Sequence, residues 1–188
     1  MKPGRRALGI AESYRGQSDT DVSSTLGGAV VTADRVVDDI VFGTIEVGGL
    51  DATEAIQKCW DRLDRPDVRF VFVSGIALAW YNLVDIRRLA SMLDRPIIAI
   101  SYEESPGLEQ ALEEAFDGDA LDRRLDLYGS LPSRREIETS NGPLFVRSVG
   151  LDEDKTTALV RAYSSNGRPE PLRVAKLAAS AADSFRRN

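Results

Sequence analysis

The stretch Val68-Arg69-Phe70-Val71-Phe72-Val73 decides the fold class of this chain. Only one of its six residues is charged. Such a nearly continuous apolar run is typical of a strand that is buried on both faces, as strands are in a partly parallel sheet. We therefore expect this run to lie inside a sheet that is flanked by helices.

The segments next to that run alternate between helix and strand. Residues 51–63 and 82–93 each carry apolar side chains along one helical face, and residues 96–101 form another apolar run. Strands and helices in this order imply right-handed crossovers and an α/β fold.

The two ends of the chain complete the predicted sheet and its helical layers. At the start, strands are predicted at residues 7–11, 26–32 and 36–47, and the last two form an antiparallel unit. Further along, we predict helices at residues 105–116, 118–135, 152–163 and 171–185 and a strand at residues 144–149. An antiparallel hairpin followed by alternating helices and parallel strands is the order of ribonuclease H-like folds. Residues 13–24 are predicted to be a loop.

Length and composition indicate one globular domain over residues 1–188, since 43% of the residues are hydrophobic and 29% charged. No apolar stretch approaches the roughly 20 residues of a membrane span. The apolar run after the basic residues 1–6 is too short for a signal peptide. We therefore expect a cytoplasmic protein without a membrane partner, and the oligomeric state does not follow from the sequence.

Scarce residue types exclude several kinds of site. Cys59 is the single cysteine, so neither an intrachain disulfide nor a thiolate metal cluster can form. It falls on the apolar face of the helix at 51–63, which indicates a core residue. The chain has no histidine, which excludes Ser-His catalysis and imidazole ligands.

The net charge of −6 argues against a surface that is basic throughout, which is the usual sign of a nucleic-acid-binding protein. Only four of the 24 basic residues are lysine, beside 30 acids, and this balance is typical of proteins adapted to high salt. In molar salt the Debye length falls to about 3 Å, so repulsion of a polyanion would matter little. We expect a halophilic protein, in which acidity is weak evidence against DNA or RNA.

Three acidic side chains lie where apolar runs stop. Glu12 and Asp51 each directly follow such a run, and Asp85 lies beyond the run at residues 70–73. A pair of Mg²⁺ or Mn²⁺ ions roughly 3.5–4 Å apart needs carboxylates that converge from different elements. These three acids are therefore candidate metal ligands and catalytic residues.

Two of the acids also have a structural explanation. Asp51 with Glu54, and Asn82 with Asp85, show the spacing of a capping pair at a helix start. Asp51 and Asp85 are thus caps, ligands or both, whereas Glu12 at a strand exit has no such structural role.

Two further motifs could contact a nucleic acid. Gly48-Gly49 precedes a helix start, where backbone N–H groups could approach a phosphate, although the Lys-Ser/Thr of a P-loop is missing. Trp80-Tyr81 could stack on a base, although aromatic residues beside buried strands belong more often to the core. Residues 168–173 are explained by a helix start in which Glu170 lies near the positive end of the helix dipole.

Four motifs, in order and suitably spaced, resemble an archaeal protein family that is related to endonuclease V and named endonuclease dU. They are Leu8-Gly9-Ile10-Ala11-Glu12-Ser13, Val47-Gly48-Gly49-Leu50-Asp51-Ala52-Thr53, Ser74-Gly75-Ile76 with Trp80-Tyr81-Asn82-Leu83-Val84-Asp85-Ile86, and Pro169-Glu170-Pro171-Leu172-Arg173-Val174-Ala175. The resemblance extends from about residue 4 to residue 182. It implies a ribonuclease H-like, endonuclease V-like fold and descent from metal-dependent enzymes that cut nucleic acid at altered bases. The family name suggests deoxyuridine.

The resemblance also implies roles for individual residues. Metal ligands would be Glu12, Asp51 and, directly or as an orienting acid, Asp85; contacts to the nucleic acid would come from Tyr81, Asn82, Arg173 and Lys176. Three positions depart from the family pattern. Ala11 replaces an Asp at the first strand exit, Ser74 replaces an Asp before glycine, and Lys176 replaces a His.

Three functional hypotheses follow. The first is a DNA-repair endonuclease that uses Mg²⁺ or Mn²⁺ and acts on DNA containing uracil or hypoxanthine. The second, indicated by Ala11 and Ser74, is a nucleic-acid-binding or regulatory domain that kept the fold and lost its ligands. The third is an enzyme that acts on a small molecule and uses the same site at the strand ends, because a fold does not fix function.

Overall fold

The computed structural model describes residues 4–16, 22–164 and 167–187. The strands are β1 (Arg6–Glu12), β2 (Ser23–Thr32), β3 (Val37–Glu46), β4 (Val68–Ser74), β5 (Ala77–Leu78), β6 (Asn82–Leu83), β7 (Ile97–Ser101), β8 (Arg135–Thr139) and β9 (Gly142–Val149). The helices are α1 (Ala52–Leu63), α2 (Ile86–Leu93), α3 (Glu109–Ala115), α4 (Gly118–Ser130), α5 (Glu153–Tyr163) and α6 (Glu170–Arg187). Part of the loop predicted at residues 13–24, namely residues 17–21, lies outside the described residues.

Seven strands form one mixed sheet in the order β3-β2-β1-β4-β7-β9-β8. The central strands β1, β4 and β7 are parallel, whereas β2, β3, β8 and β9 join by antiparallel pairing. Residues 70–73 of β4 are buried. The prediction of a doubly buried strand in an α/β sheet is therefore confirmed.

Side chains of the central strands alternate between two faces of this sheet. Leu8, Ile10, Val71 and Val73 pack in the core that also contains apolar residues of α1 and α2. On the opposite face Ala7 and Phe72 pack with residues of α5 and α6, and Ala11 packs with Ala175 of α6. Consecutive residues of β1 consequently face different helical layers.

Two glycines allow α6 to lie directly on the sheet. A Cβ at Gly9 would overlap the backbone carbonyl of Pro171, and a Cβ at Gly27 would lie 2.7 Å from the carbonyl oxygen of Ala175. Any larger residue at either position would push α6 away. This close contact fixes the position of the α6 side chains at the end of β1.

The single cysteine lies beneath β3. Cys59 is fully buried, and a Cβ at Gly43 would lie 2.8 Å from its Sγ atom. Burial raises the pKa of the Cys59 thiol to about 11. The prediction that Cys59 is a core residue is confirmed.

Several element boundaries differ from those predicted. Helix α2 begins at Ile86, because residues 82–83 form β6 in a short hairpin with β5. Helix α3 begins only at Glu109, and in the segment before it the Ser105 hydroxyl bonds to the backbone of Gly107. Strand β8 was not predicted; it is short and polar, and Ile137 is its one buried residue.

No helix in the described ranges combines the length and apolar character needed to cross a membrane.

Candidate functional site

A cleft of about 270 Å³ opens at the carboxyl ends of β1 and β4, on the side covered by α6. We call it the cationic cleft; its lining residues are Glu12, Ser74, Tyr102, Arg168, Leu172, Arg173, Lys176 and Leu177. The carboxyl ends of parallel strands are where α/β sheets commonly bind ligands. The structure thus brings together three of the residues that the sequence singled out, Glu12, Arg173 and Lys176.

Three basic side chains give the cationic cleft its charge. Lys176 donates from Nζ to the backbone oxygen of Glu12 at 2.6 Å and forms no ion pair with a residue that the structure describes. Arg173 is held by Glu170, with 2.8 Å between Nε and Oε2, and this hydrogen bond lowers the pKa of the Glu170 carboxyl. The Arg168 guanidinium lies 4.5 Å from the centre of the Tyr102 ring. Such a grouping of cations suits an anionic ligand.

Glu12 directs its carboxylate away from α6. The carboxylate accepts hydrogen bonds from the Ser24 hydroxyl at 2.7 Å and from the backbone N–H of Tyr14. Ala11, by contrast, packs against α6. Because neighbouring side chains of a strand point to opposite faces, Glu12 does not take the direction of the Asp expected at position 11.

Asp51 occupies a different place, at the start of α1. Its Oδ1 accepts hydrogen bonds from Nδ2 of Asn82 at 2.6 Å and from the backbone N–H of Glu46 at 3.1 Å. Within the described residues its side chain makes no capping bond to α1; the N–H of Ala52 is bound by Oδ1 of Asn82 at 2.9 Å. The predicted capping role therefore belongs to Asn82 instead of Asp51.

Asp85 is the cap of α2. Its Oδ1 accepts hydrogen bonds from the backbone N–H groups of Arg87 and Arg88 at 3.0 and 2.9 Å. Among residues 4–16, 22–164 and 167–187, no group of three or more His, Cys, Asp or Glu side chains could hold a metal ion. Glu12, Asp51 and Asp85 thus do not form one such group, and their assignment as ligands stays a prediction.

Asn82 is buried instead of facing a ligand. Its side chain is fully enclosed, and besides its bonds to Asp51 and Ala52 it donates to the backbone oxygen of Glu46 at 2.9 Å. Every polar atom of its amide thus has a partner inside the protein, and a nucleotide contact from Asn82 stays a prediction. Asn82 joins the end of β3 to the start of α1.

Arg124 is, after Asn82, a second buried side chain that holds backbone segments together, and it was not predicted from the sequence. It is 2% exposed and donates to the backbone oxygens of Gly48, Gly49 and Tyr81, at 2.9 Å for Gly49 and 3.2 Å for Tyr81. Burial lowers the pKa of its guanidinium. Its place on the helical face that also carries Leu121, Leu125 and Tyr128 is the signal that could have revealed it.

The loop that Arg124 holds carries Trp80 and Tyr81. Ala79, Trp80 and Tyr81 have φ angles of +36°, +59° and +61°, a left-handed conformation that is costly for residues other than glycine. The Trp80 ring lies 5.0 Å from the ring of Phe116, centre to centre, and packs partly in the interior. Tyr81 is partly exposed, and its contact with a nucleotide stays a prediction.

A second cavity of about 290 Å³ opens beyond the end of β4, beside β7 and β9, on the face of the sheet opposite to α6. We call it the apolar cavity; it is lined by Gly75, Ile76, Ala77, Ala99, Ser101, Glu103, Ser105, Leu108, Tyr128, Arg134, Phe145 and Arg147. Arg134 and Arg147 stack on the rings of Phe145 and Tyr128, at 4.4 and 5.1 Å from the ring centres. Because Ser74 lines the cleft and Gly75 lines the cavity, the two sites adjoin across the end of β4.

Comparison with known proteins agrees with this architecture. The family model described as endonuclease dU matches residues 3–183. The chain belongs to the endonuclease dU family. A UPF0215 protein of Pyrobaculum calidifontis is 31% identical to this endonuclease dU family member over 176 residues, which are 92% of this chain and 94% of the relative.

Solved structures confirm the fold expected of an endonuclease dU family member. A protein of unknown function from Archaeoglobus fulgidus superposes with a TM-score of 0.81 at 24% identity, covering 94% of this chain and 97% of that chain. Endonuclease V of Ciona intestinalis, in complex with a 24mer DNA containing an inosine, superposes with a TM-score of 0.63 at 13% identity, covering 98% of this chain and 87% of that one. The chain has the ribonuclease H-like fold of endonuclease V.

Proposed function

We propose that this member of the endonuclease dU family is an endonuclease that cuts DNA at altered bases, with deoxyuridine the first candidate. The cationic cleft at the ends of β1 and β4 carries the proposal. Lys176, Arg173 and Arg168 are suited to bind backbone phosphates, since charge-assisted hydrogen bonds to phosphate are strong. The inosine-containing DNA bound by the Ciona endonuclease V supports a nucleic-acid ligand for this fold.

The apolar cavity is the proposed place for the altered base. Enzymes that act on a base take it out of the stack and hold it in a pocket. Ile76, Ala77 and Leu108 offer apolar contact surface, while the N–H groups of Arg147 that do not bind Pro132 or Tyr128 supply hydrogen-bond donors for a carbonyl oxygen of a uracil. A phosphate in the cleft and a base in the cavity would then be held on either side of β4.

A divalent ion, Mg²⁺ or Mn²⁺, is part of the proposal. A cage built from protein ligands alone does not fit the described residues, because they contain no group of three acids. Mg²⁺ is commonly bound through one or two carboxylates together with water and substrate phosphates. Glu12 lies at the edge of the cleft, and its carboxylate, which bonds to Ser24, would have to turn towards the cleft to bind such an ion. Bound in this way, the ion would activate water and stabilise the leaving oxygen. Lys176 and the Ser74 hydroxyl would orient the phosphate.

A nucleic-acid-binding domain without cleavage is the second candidate. It is favoured by the Ala11 methyl group, which packs against Ala175 at the strand exit where an acid is expected, and by Ser74 at the end of β4.

Nicking assays test the proposal and separate the two candidates. The substrates are duplexes that contain uracil, hypoxanthine, a mismatch or no lesion, in high KCl with Mg²⁺ or Mn²⁺. We expect the wild-type protein to nick the uracil-containing strand, and Glu12→Gln to abolish nicking without changing the thermal midpoint. Glu113→Gln, which removes an exposed carboxylate of α3, is the matched control and should nick normally.

One combination of results would contradict the proposed endonuclease. Wild-type protein that binds DNA but binds no Mn²⁺ in calorimetry and nicks no substrate would defeat the endonuclease. If Ala11→Asp with Ser74→Asp then gained nicking, the binding domain would be identified as an enzyme that lost its acids.

A further inference from the structure

A groove of about 680 Å³ lies beside β3, away from the cationic cleft. We call it the β3 groove; it is formed by β3, α1 and the end of α6, together with Thr25 of β2. Two aromatic side chains of the groove reach solvent, one on the edge strand β3 and one on α6. Phe42 on β3 is 43% exposed and Phe185 on α6 is 85% exposed. Exposed apolar surface that is rimmed by polar residues is a feature of binding sites.

Three basic side chains line the same groove. Lys58 is exposed and forms neither an ion pair nor a hydrogen bond with any described residue. Arg62 donates to the backbone oxygen of Phe42 at 2.9 Å, and Arg186 donates to the Thr25 hydroxyl at 2.9 Å. Each guanidinium is thus held in place with other N–H groups left over for a ligand.

The acidic side chain that lines the β3 groove already has hydrogen-bond partners within the protein. Asp51 lines the β3 groove, but its Oδ1 accepts the hydrogen bonds from Asn82 and from the backbone of Glu46 described above. Three cations therefore face one bonded carboxylate, in a chain whose net charge is −6. The local charge favours an anionic ligand.

Pairing of β3 with a second copy is the rival explanation, since edge strands can extend into another chain. Two features oppose it. Arg62 occupies the backbone oxygen of Phe42 in the middle of the edge. At the other end, Asp38 and Asp39 form ion pairs with Arg65, which place charged groups along the strand. Charges on an edge strand discourage strand-to-strand association.

We propose that the β3 groove binds a single-stranded segment of nucleic acid, with bases stacked on Phe42 and Phe185 and phosphates held by Lys58, Arg62 and Arg186. Aromatic rings between cations are the features by which proteins hold single strands without sequence preference. The inference rests on the proposed function only for the class of ligand. It adds a second surface, which would hold the strand beyond the altered base.

Fluorescence anisotropy with a labelled, lesion-free single strand of about 15 nucleotides tests this surface. Stacking of one base on a ring corresponds to roughly a tenfold gain in affinity, so Phe42→Leu with Phe185→Leu should weaken binding by about 100-fold. Phe185→Tyr keeps the ring and should bind like the wild type. Lys58→Gln should lower the slope of log affinity against log salt by about 0.7, whereas Lys155→Gln on α5, the same charge change elsewhere, should not.

The outcomes separate this inference from the proposed function. Unchanged affinity of the double Leu variant, with normal nicking at uracil, overturns the β3 groove and leaves the endonuclease intact. Loss of affinity in that variant, with no nicking by any protein, supports the groove and removes the endonuclease. A wild-type dimer in sedimentation that the double Leu variant converts to monomer, with oligonucleotide affinity unchanged, would show that the surface joins two copies, and would overturn the inference.

Discussion

At the scale of single residues, the amide of Asn82 stabilises the connection between β3 and α1. It bonds to Glu46, Asp51 and Ala52, which belong to the end of β3 and the start of α1. Its side chain is fully buried. A buried polar group that loses its partner costs about 1–3 kcal/mol, so removal of this amide affects several groups together.

We predict that Asn82→Ala lowers the free energy of unfolding by about 3 kcal/mol, because three polar groups lose a buried partner. Urea denaturation measures the change. Asn141→Ala, at an exposed turn, is the control and should change stability by no more than about 0.5 kcal/mol. Equal effects of the two substitutions would show that the Asn82 bonds contribute little.

The same residues show what the sequence could and could not predict about the site. The positions of Glu12, Asp51 and Asp85 at the ends of apolar runs were visible, but the directions of their side chains were not. Asp51 accepts a hydrogen bond from the Asn82 amide, and no local sequence pattern predicts a bond between residues so far apart in the chain. The family motif indicated Arg173 and Lys176 of the cationic cleft, whereas hydrophobic periodicity did not.

At the scale of elements, long periodic segments were predictable and short ones were not. The apolar run that became β4 and the apolar face that became α1 are determined by burial, which leaves a repeat in the sequence. The hairpin of β5 and β6 has two residues in each strand and a left-handed loop, held by Arg124 from α4. Its stability comes from tertiary contacts, which local patterns do not record.

The contact between α6 and the sheet gives a second prediction. Gly9→Ala should lower the free energy of unfolding by about 1–3 kcal/mol, since its methyl group overlaps the backbone of Pro171. It should also weaken DNA binding, because Arg173 and Lys176 move with α6. Gly129→Ala is the matched control: it lies in α4 with no atom within 4 Å of the added Cβ, and should leave stability unchanged or raise it. Chemical denaturation and a DNA-binding assay measure both effects, and similar results for the two variants would contradict the close-packing argument.

At the scale of the whole molecule, an acidic chain carries two cationic surfaces. The cationic cleft and the β3 groove gather six basic side chains between them, although the net charge is −6. The remaining surface must therefore hold an even larger excess of acids. Mutual repulsion among those carboxylates disfavours the folded state when it is not screened.

We propose that this excess reflects adaptation to salt, and predict a higher thermal midpoint at molar KCl than at low ionic strength. Added salt shortens the Debye length to about 3 Å and so weakens repulsion between carboxylates. Circular dichroism at increasing KCl measures the midpoint, with an equal osmolarity of a neutral sugar as the control. An unchanged or falling midpoint would leave the composition without this explanation, and the acidity would then count against nucleic acid.

The buried thiol of Cys59 beneath β3 can be used to measure local opening of the protein. Cys59 is fully buried and its pKa is about 11, so a disulfide reagent at neutral pH can reach a thiolate only when α1 separates from the sheet. The modification rate therefore measures how often this corner of the molecule opens, without any introduced label. A single-stranded oligonucleotide bound in the β3 groove contacts both α1 and β3 and should slow the modification of Cys59. An oligonucleotide bound only in the cationic cleft should leave the rate unchanged.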